Sequence, residues 1–248
     1  MKISIITITY NSAKSLQRAL DSVQGQHYKD IEHIIVDGAS TDGTKDLIAA
    51  YAKQHPNVRW VSEKDDGIYN AINKGIRMAT GDVIGFLHSD DVLYSADSIG
   101  QIAAAFADPK IDVVYGDLQY CSGEKVIRRW KSNAFNPRAL KYGWMPPHPT
   151  VYVRREVYQQ VGPYDEWFRI SADYDMMLRI FSAHYHTCYI PEVLVSMETG
   201  GASNRNTKAR LSKTQEDYIA LKKNHVGAGY LTVACKQLRK VRQFLRKS

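Results

Sequence analysis

Apolar and polar residues alternate along this chain in blocks that predict strand, helix and strand again. Ile3–Thr9 reads as a buried strand, and Leu16, Ala19, Leu20 and Val23 form a helical stripe up to Gly25, with Asn11 and Ser12 as capping side chains. Ile31–Val36 is a second strand closed by Asp37-Gly38. The next helix carries Leu47, Ile48 and Tyr51, with Thr41 or Asp42 at its start, and stops before Pro56. Val58–Val61 is a third strand. After Asp65-Asp66-Gly67, one of the two Asp capping, comes a helix with Ile68, Ala71, Ile72 and Ile76, then the apolar run Val83–Leu87. Alternation repeated this often predicts an α/β fold, mostly a parallel central sheet with helices on both faces and right-handed crossovers. Further on, the pattern predicts a helix over Ser98–Ala107, a strand over Val113–Leu118, and a hairpin about Gly123 into Lys125–Arg129. An irregular aromatic stretch from Trp130 to Pro149 follows. A strand at Val151–Val153, a short helix at Arg155–Val161 and a clearer helix at Ala172–Ser182 complete the pattern. There is no internal repeat.

Composition changes this picture at one place. The chain has 248 residues and a net charge of +7. Eight basic residues and no acidic one lie from Tyr218 onward, while the preceding part carries 25 basic and 26 acidic residues. A division into a main domain, 1–217, and a basic helical extension, 218–248, follows. In the extension Leu231, Ala234, Leu238, Val241 and Leu245 recur at three- and four-residue steps, with Phe244 beside them, among Lys236, Arg239, Lys240, Arg242, Arg246 and Lys247. That is the layout of a helix lying on an anionic membrane surface, or of one packed on the domain with a solvated basic face. Nucleic acid is not expected, because the main domain is not basic. No apolar run approaches the ~20 residues that span a bilayer, and Met1–Ile6 has no signal-peptide layout. Three widely spaced cysteines suit a reduced, cytoplasmic setting.

Candidate chemistry sits at the strand ends, where open α/β sheets bind ligands. Thr7-Ile8-Thr9-Tyr10-Asn11 ends the first strand beside a helix start, a nucleotide cradle or a capping arrangement. It lacks G-x-G-x-x-G, which argues against a dinucleotide site. Asp37 at the second tip can accept from a ribose or base, whereas Asp42 reads as a cap. Glu63, Asp65 and Asp66 follow the third strand, and Lys74 is either a phosphate ligand or simply solvated. His88-Ser89-Asp90-Asp91 follows the buried run, and its paired carboxylates can hold a divalent cation. Asp173 is a general base or a helix cap, with Ser171 competing for the second role. Trp130, Phe135, Tyr142, Trp144 and His148 form either a lid over an acceptor or a cluster under a loop.

In combination these pieces resemble family 2 glycosyltransferases with the Rossmann-like GT-A fold. The matching residues are Ile6–Asn11, Val36–Thr44, Ser62–Ala71, Asn73-Lys74-Gly75, Ala79–Asp82, Phe86–Asp91 and Ala172–Asp175, in the family's order. The closest branch resembles enzymes of bacterial surface polysaccharides of the O-antigen, capsule or colanic-acid type. The resemblance implies that Thr7, Thr9 and Asp37 hold the nucleoside, with Glu63 or Asp65 near the base and Asp90 also on the donor side. It implies Asp90 and Asp91 as ligands of Mg²⁺ or Mn²⁺ and Asp173 as catalytic base; His88, Trp144 and His148 are read beside these as contacts to acceptor or donor. Two departures stand out: His88 occupies a place often taken by Asp, and Ala172 one often taken by Glu. The Gln-x-x-Arg-Trp motif of processive synthases is absent.

The implied reaction is inverting transfer of one sugar from a nucleotide-diphosphate sugar to a sugar or lipid-linked saccharide acceptor, at the cytoplasmic face of the plasma membrane. The rival is a non-catalytic protein of the same fold that binds a sugar nucleotide or organises a membrane assembly. A nucleotidyltransferase would need a Gly-rich, Arg-containing loop after the first strand, and Thr9-Tyr10-Asn11-Ser12 is not one.

Overall fold

The computed structural model describes residues 1–123, 125–198 and 207–245, with side chains described for all of these except 207–210 and 240–245. The first half alternates as the pattern predicts: β1 (Ile3–Thr9), α1 (Leu16–Gln24), β2 (Ile31–Asp37), α2 (Thr44–Gln54), β3 (Val58–Ser62), α3 (Ile68–Met78) and β4 (Val83–Phe86). Then come β5 (Asp91–Leu93), α4 (Ser98–Ala105), β6 (Val113–Ser122), β7 (Lys125–Trp130), α5 (Pro137–Leu140), β8 (Tyr152–Arg154) and α6 (Arg155–Val161). The chain closes with α7 (Ala172–Ser182), β9 (Thr187–Glu198), α8 (Thr207–Lys223) and α9 (Tyr230–Leu245).

Among the described residues the nine strands form one sheet of order β3-β2-β1-β4-β8-β6-β9-β5, with β7 paired to β6. The half built from β3, β2, β1 and β4 is parallel. Beyond β4 the sheet is mixed: β8 runs antiparallel to both β4 and β6, β9 runs parallel to β6, and β5 antiparallel to β9.

Strand β1 shows why the parallel half forms. All seven residues are buried, and the two-residue period sends Ile6 and Ile8 into one apolar cluster and Ile3 and Ile5 into another. Helices α3 and α7 supply the first cluster through Ile72, Met177 and Ile180, and α1 and α4 the second through Ala19, Val23, Ile99 and Ile102. Close approach of β4 to β8 needs a residue without Cβ, because a Cβ on Gly85 would run into the ring of the fully buried Tyr152.

The extension does not stand apart from the domain. Residue 217 lies inside α8, and Ala220, Leu221 and Val233 join the first apolar cluster. Thr232, Val233 and Lys236 are the buried side of α9. Lys236, counted above with the basic face, is therefore not on it. Leu231 and Leu238 of the apolar stripe are each 67% exposed. Side chains of Lys240, Val241, Arg242, Phe244 and Leu245, and residues Arg246 and Lys247, lie outside the described residues. No helix of the described residues is long and apolar enough to cross a membrane.

Burial also fixes two ionisable groups of β2. His33 is fully buried and shares a hydrogen bond with Thr7 Oγ1 at 3.0 Å; burial, then repulsion from His55, pushes its pKa down to about 3. Burial raises the Glu32 pKa, but hydrogen bonds from Ser4, Thr80 and Arg59 outweigh it and hold the carboxyl at about 2. Both groups are more acidic folded than unfolded. Their stabilisation is complete at neutral pH and is lost on acidification, below about 6.5 for His33 and below about 4.5 for Glu32. In urea unfolding between pH 7.5 and 5, His33→Gln is expected to reduce the loss of stability on acidification by about 1.4 kcal/mol per pH unit below 6.5. Gly85→Ala is expected to destabilise the fold by about 1–3 kcal/mol in the same assay at pH 7.5, through overpacking against Tyr152.

Candidate active site

The carboxyl ends of β1, β2 and β4 come together because the parallel pairing aligns Thr9 with Asp37 and Ile6 with Phe86. Next to them opens a cleft of about 1630 Å³. One wall is Ile8, Thr9, Tyr10 and Ser12 from β1 and its loop, and His88, Ser89 and Asp90 after β4. The other side brings Asp173 and Arg169 at the start of α7, Trp144 and His148 from the irregular segment, and Lys213, Lys236 and Arg239 from α8 and α9.

The loops that follow β1 and β2 are tied to each other. Asn11 adopts φ 48°, a left-handed conformation that Asn tolerates. Its amide donates to Ser40 Oγ at 2.7 Å, and its side-chain oxygen accepts from the Thr41 amide at 2.9 Å. The Ser12 amide donates to Thr44 Oγ1 at 2.8 Å. These two residues thus brace the neighbouring loop and do not cap α1, whose N-cap is Ser15. Asp42 accepts from the Thr44 and Ala13 amides, at 3.1 Å each, the structural role its position suggests.

Of the residues assigned to the nucleoside, Thr9 reaches the cleft, and its buried hydroxyl has no partner among the described residues. Thr7 lies two residues deeper, fully buried on His33. Asp37 is fully buried and satisfied internally by the Ser40 amide and hydroxyl and by Ser62 Oγ at 2.6 Å. Lys74 is not free in solvent: it joins Glu63 at 2.8 Å and Asp65 at 2.6 Å. Burial works against its charge, but Asp65 and Glu63 prevail and push its pKa up. Asp65 and Asp66 leave the start of α3 to Gly67, which has no side-chain cap. A Cβ on Gly38 would meet Asp65 Oδ2 and the Tyr10 ring at 3.2 Å each, so Tyr10, Gly38 and Asp65 form one corner of the rim. Tyr10, 66% exposed, is a rim residue that the sequence pattern did not single out.

The two acidic residues after β4 have different surroundings. Asp90 lines the cleft. Asp91 begins β5, is fully buried, and neither carboxylate oxygen has a partner among the described residues. Burial, then the Asp90 charge, raises its pKa well above the usual carboxylate range. No three His, Cys, Asp or Glu side chains converge on one point among the described residues. Hard oxygens on Asp90, next to an unsatisfied carboxylate, fit a divalent cation that takes its remaining ligands from a diphosphate.

Asp173 lines the same cleft. Its charge is felt by His88, His148, Tyr69, Tyr164 and Lys213. His88 and His148 are stacked with ring centroids 6.3 Å apart, and His148 Nε2 bonds the Tyr164 hydroxyl at 2.8 Å. Burial pushes the pKa of both imidazoles down, His148 to about 4, against the opposing pull of Asp90 and Asp173 on His88 and of Asp173 on His148. Trp144 is 3% exposed and anchors a cluster with Tyr115, Phe135 and Phe181, so only an edge of it faces the cleft.

The sequence profile of glycosyl transferase family 2 matches residues 4–170. The chain belongs to that family. It is 37% identical over 208 residues to a PGL/p-HBAD biosynthesis glycosyltransferase of Mycobacterium bovis, covering 81% of this chain and 78% of the relative. An uncharacterized glycosyltransferase of Nostoc sp. is 31% identical over 237 residues, covering 87% of this chain and 70% of the relative. Among solved structures, S. aureus TarS 1-349 in complex with UDP-GlcNAc aligns with a TM-score of 0.73 at 18% identity, over 90% of this chain and 65% of that one. The mannosyltransferase PcManGT from Pyrobaculum calidifontis, in complex with GDP-Man and Mn²⁺, aligns with a TM-score of 0.68 at 20% identity, over 100% and 76%. These likenesses establish the GT-A fold. The family match ends three residues before Asp173, so the acidic residue opposite Asp90 and the helices behind it lie outside the matched region.

Proposed function

We propose that this glycosyltransferase moves one sugar from a nucleotide-diphosphate sugar to an acceptor hydroxyl with inversion at the anomeric carbon. The observation that carries the reading is the shared cleft, which the β1 rim, Asp90 and Asp173 all line. TarS and PcManGT, solved with UDP-GlcNAc and with GDP-Man and Mn²⁺, support the donor class and a divalent cation, Mg²⁺ or Mn²⁺. Thr9, Tyr10 and the Gly38–Asp65 corner would receive the nucleoside, with Asp37 and Thr7 holding the loops beneath it. Asp173 takes the proton from the acceptor hydroxyl as its oxygen bonds the anomeric carbon and the bond to the diphosphate breaks. A carboxylate is a weak base for a free alcohol, so proton transfer follows bond formation, when the hydroxyl has become acidic. A divalent cation bound at Asp90, with Asp91 beside it, would offset the charge that develops on the leaving diphosphate. Neutral His88 and His148 and the edge of Trp144 line the space that the sugars would enter.

The acceptor in this reading is a lipid-linked saccharide at the cytoplasmic face of an anionic membrane, in surface polysaccharide synthesis. Support comes from α9, whose Leu231 and Leu238 point away from the body on a helix rich in Lys and Arg. Such a helix gains from both apolar burial and anionic headgroups.

The test is turnover of a panel of UDP-, GDP- and dTDP-sugars with Mn²⁺, Mg²⁺ or EDTA. One donor is expected to turn over in a metal-dependent way, and Asp90→Asn to lose that dependence. Asp173→Asn is expected to lower turnover by about 10²–10⁴-fold with donor affinity retained; near-normal turnover in that variant rejects the assignment. Donor binding without turnover by any acceptor would favour the non-catalytic rival. For the membrane, the full chain is expected to sediment with phosphatidylglycerol vesicles but not with phosphatidylcholine vesicles. Replacing Leu231 and Leu238 together by Ser should abolish sedimentation.

A further inference from the structure

The backbone that presents Asp173 is held from outside its own helix. The first amides of a helix and of the turn leading into it have no intrahelical acceptor. Ser171, at the N-cap of α7, makes no side-chain cap bond. Instead the Glu216 carboxylate, on α8 and 9% exposed, accepts from the amides of Arg169, Ile170 and Ser171 at 3.2, 2.8 and 2.9 Å. The Tyr69 hydroxyl, on α3, lies at the amides of Ala172 and Asp173. The Tyr174 amide donates to Asp173 Oδ1 at 2.8 Å, and the Asp175 amide begins the regular helical pattern on the Ser171 carbonyl at 3.0 Å. The amides of Arg169, Ile170, Ser171, Tyr174 and Asp175 thereby all have acceptors.

A second tie runs through the neighbouring residue of α8. Ser171 Oγ donates to Asp217 Oδ1 at 2.8 Å, and Lys236 Nζ of α9 pairs with Asp217 Oδ2 at 2.8 Å. Lys236 Nζ also lies 3.2 Å from the centre of the Tyr174 ring. The residues that flank Asp173 at positions 171 and 174 are therefore both held by the C-terminal helix pair.

We infer that Glu216 and the Asp217–Lys236 pair are positioning residues that fix Asp173 against the cleft. The inference rests on the reading of Asp173 as catalytic base. It assigns α8 and α9 a part in the reaction, although they lie beyond the region shared with the family profile. A carboxylate that accepts three backbone N–H groups forms charge-assisted bonds that no single side-chain cap could match. Loss of it frees the turn, and displacement of a base by about 1 Å can cost on the order of 10²-fold in rate.

The experiment compares the full-length wild type with Glu216→Met and Glu216→Gln. Three quantities are read: amide hydrogen exchange of the peptide covering 169–174, the affinity for UDP and GDP, and kcat for UDP-GlcNAc or GDP-Man hydrolysis. All are measured well below each variant's melting temperature. Glu216→Met is expected to speed exchange at 169–171 and lower kcat by about 10–10²-fold with nucleotide affinity unchanged. Glu216→Gln, which keeps an acceptor, is expected to restore most of both. A double-mutant cycle between Asp217→Asn and Lys236→Met should give non-additive losses in kcat, because the two side chains act as one pair, with Lys213 a longer second partner of Asp217 at 3.8 Å. Faster exchange with unchanged kcat would overturn the inference, and so would unchanged exchange in Glu216→Met. If the wild type hydrolyses no donor on the full panel, the transferase reading fails by itself; the exchange data then still decide whether Glu216 holds the turn.

Discussion

Parallel pairing of β1 with β2 on one side and β4 on the other is the constraint from which the rest of the site follows. Three strands that run the same way end at the same edge, and the register brings Thr9 level with Asp37 and places the β4 tip beside them. Such pairing is stable only where both faces are covered, and the seven buried residues of β1 meet that condition through helices on each side. Polar groups cannot be spread along these strands, so they concentrate at the tips. There the loops bind one another through Asn11, Ser12, Ser40 and Thr44, and the rim becomes a rigid platform.

The opposite side of the cleft is built by different physics. It has no run of parallel strand ends; it has a mixed half-sheet, an aromatic cluster and a helix start. Asp173 sits there among neutral imidazoles, tyrosines and the ammonium groups of Lys213 and Lys236. Burial alone raises the pKa of a carboxylate, as it does at Asp91, whose oxygens have no partner among the described residues. The contrast between Asp91 and Asp217 makes the same point. Asp217 is also buried, yet Lys236 and Lys213 outweigh that burial and push its pKa down. Two acids of equal chemistry differ because one has partners within reach.

What the sequence made legible was what short-range periodicity encodes. The strands and helices from Ile3 to Phe86 could be read because their apolar spacing is local and both faces of each strand are covered. Strand β9 was missed: most of its residues are half-buried or exposed, and its place depends on pairing with β6, about seventy residues earlier. Candidate residues divided in the same way. Thr9, Asp90 and Asp173 were legible because each follows or precedes a strongly patterned element, and all three line the cleft. Lys74 looked solvated because nothing near it in sequence shows that Glu63 and Asp65 fold back on it. Glu216 carried no local signal at all. It is one acidic residue on a helix, and its role comes from three amides more than forty positions away.

The C-terminal helices show how one sequence pattern can serve two surfaces. The stripe at Leu231, Ala234 and Leu238 has helical spacing, and such a stripe usually faces the core. Here the core side of α9 is instead Thr232, Val233 and Lys236, about half a turn away on the opposite face of the helix. What holds that side is partly ionic: Lys236 reaches Asp217 and the Tyr174 ring, and Thr232 Oγ1 donates to the Lys141 carbonyl at 2.8 Å. Close approach is possible because residue 143 is glycine: its φ is 69°, and a Cβ there would collide with the backbone of Lys236. A buried ion pair fixes the orientation of the helix more than it stabilises the fold, since a Lys loses much of its solvation on burial. With Lys236 tied inward, Leu231 and Leu238 lie outward on the other face of the helix.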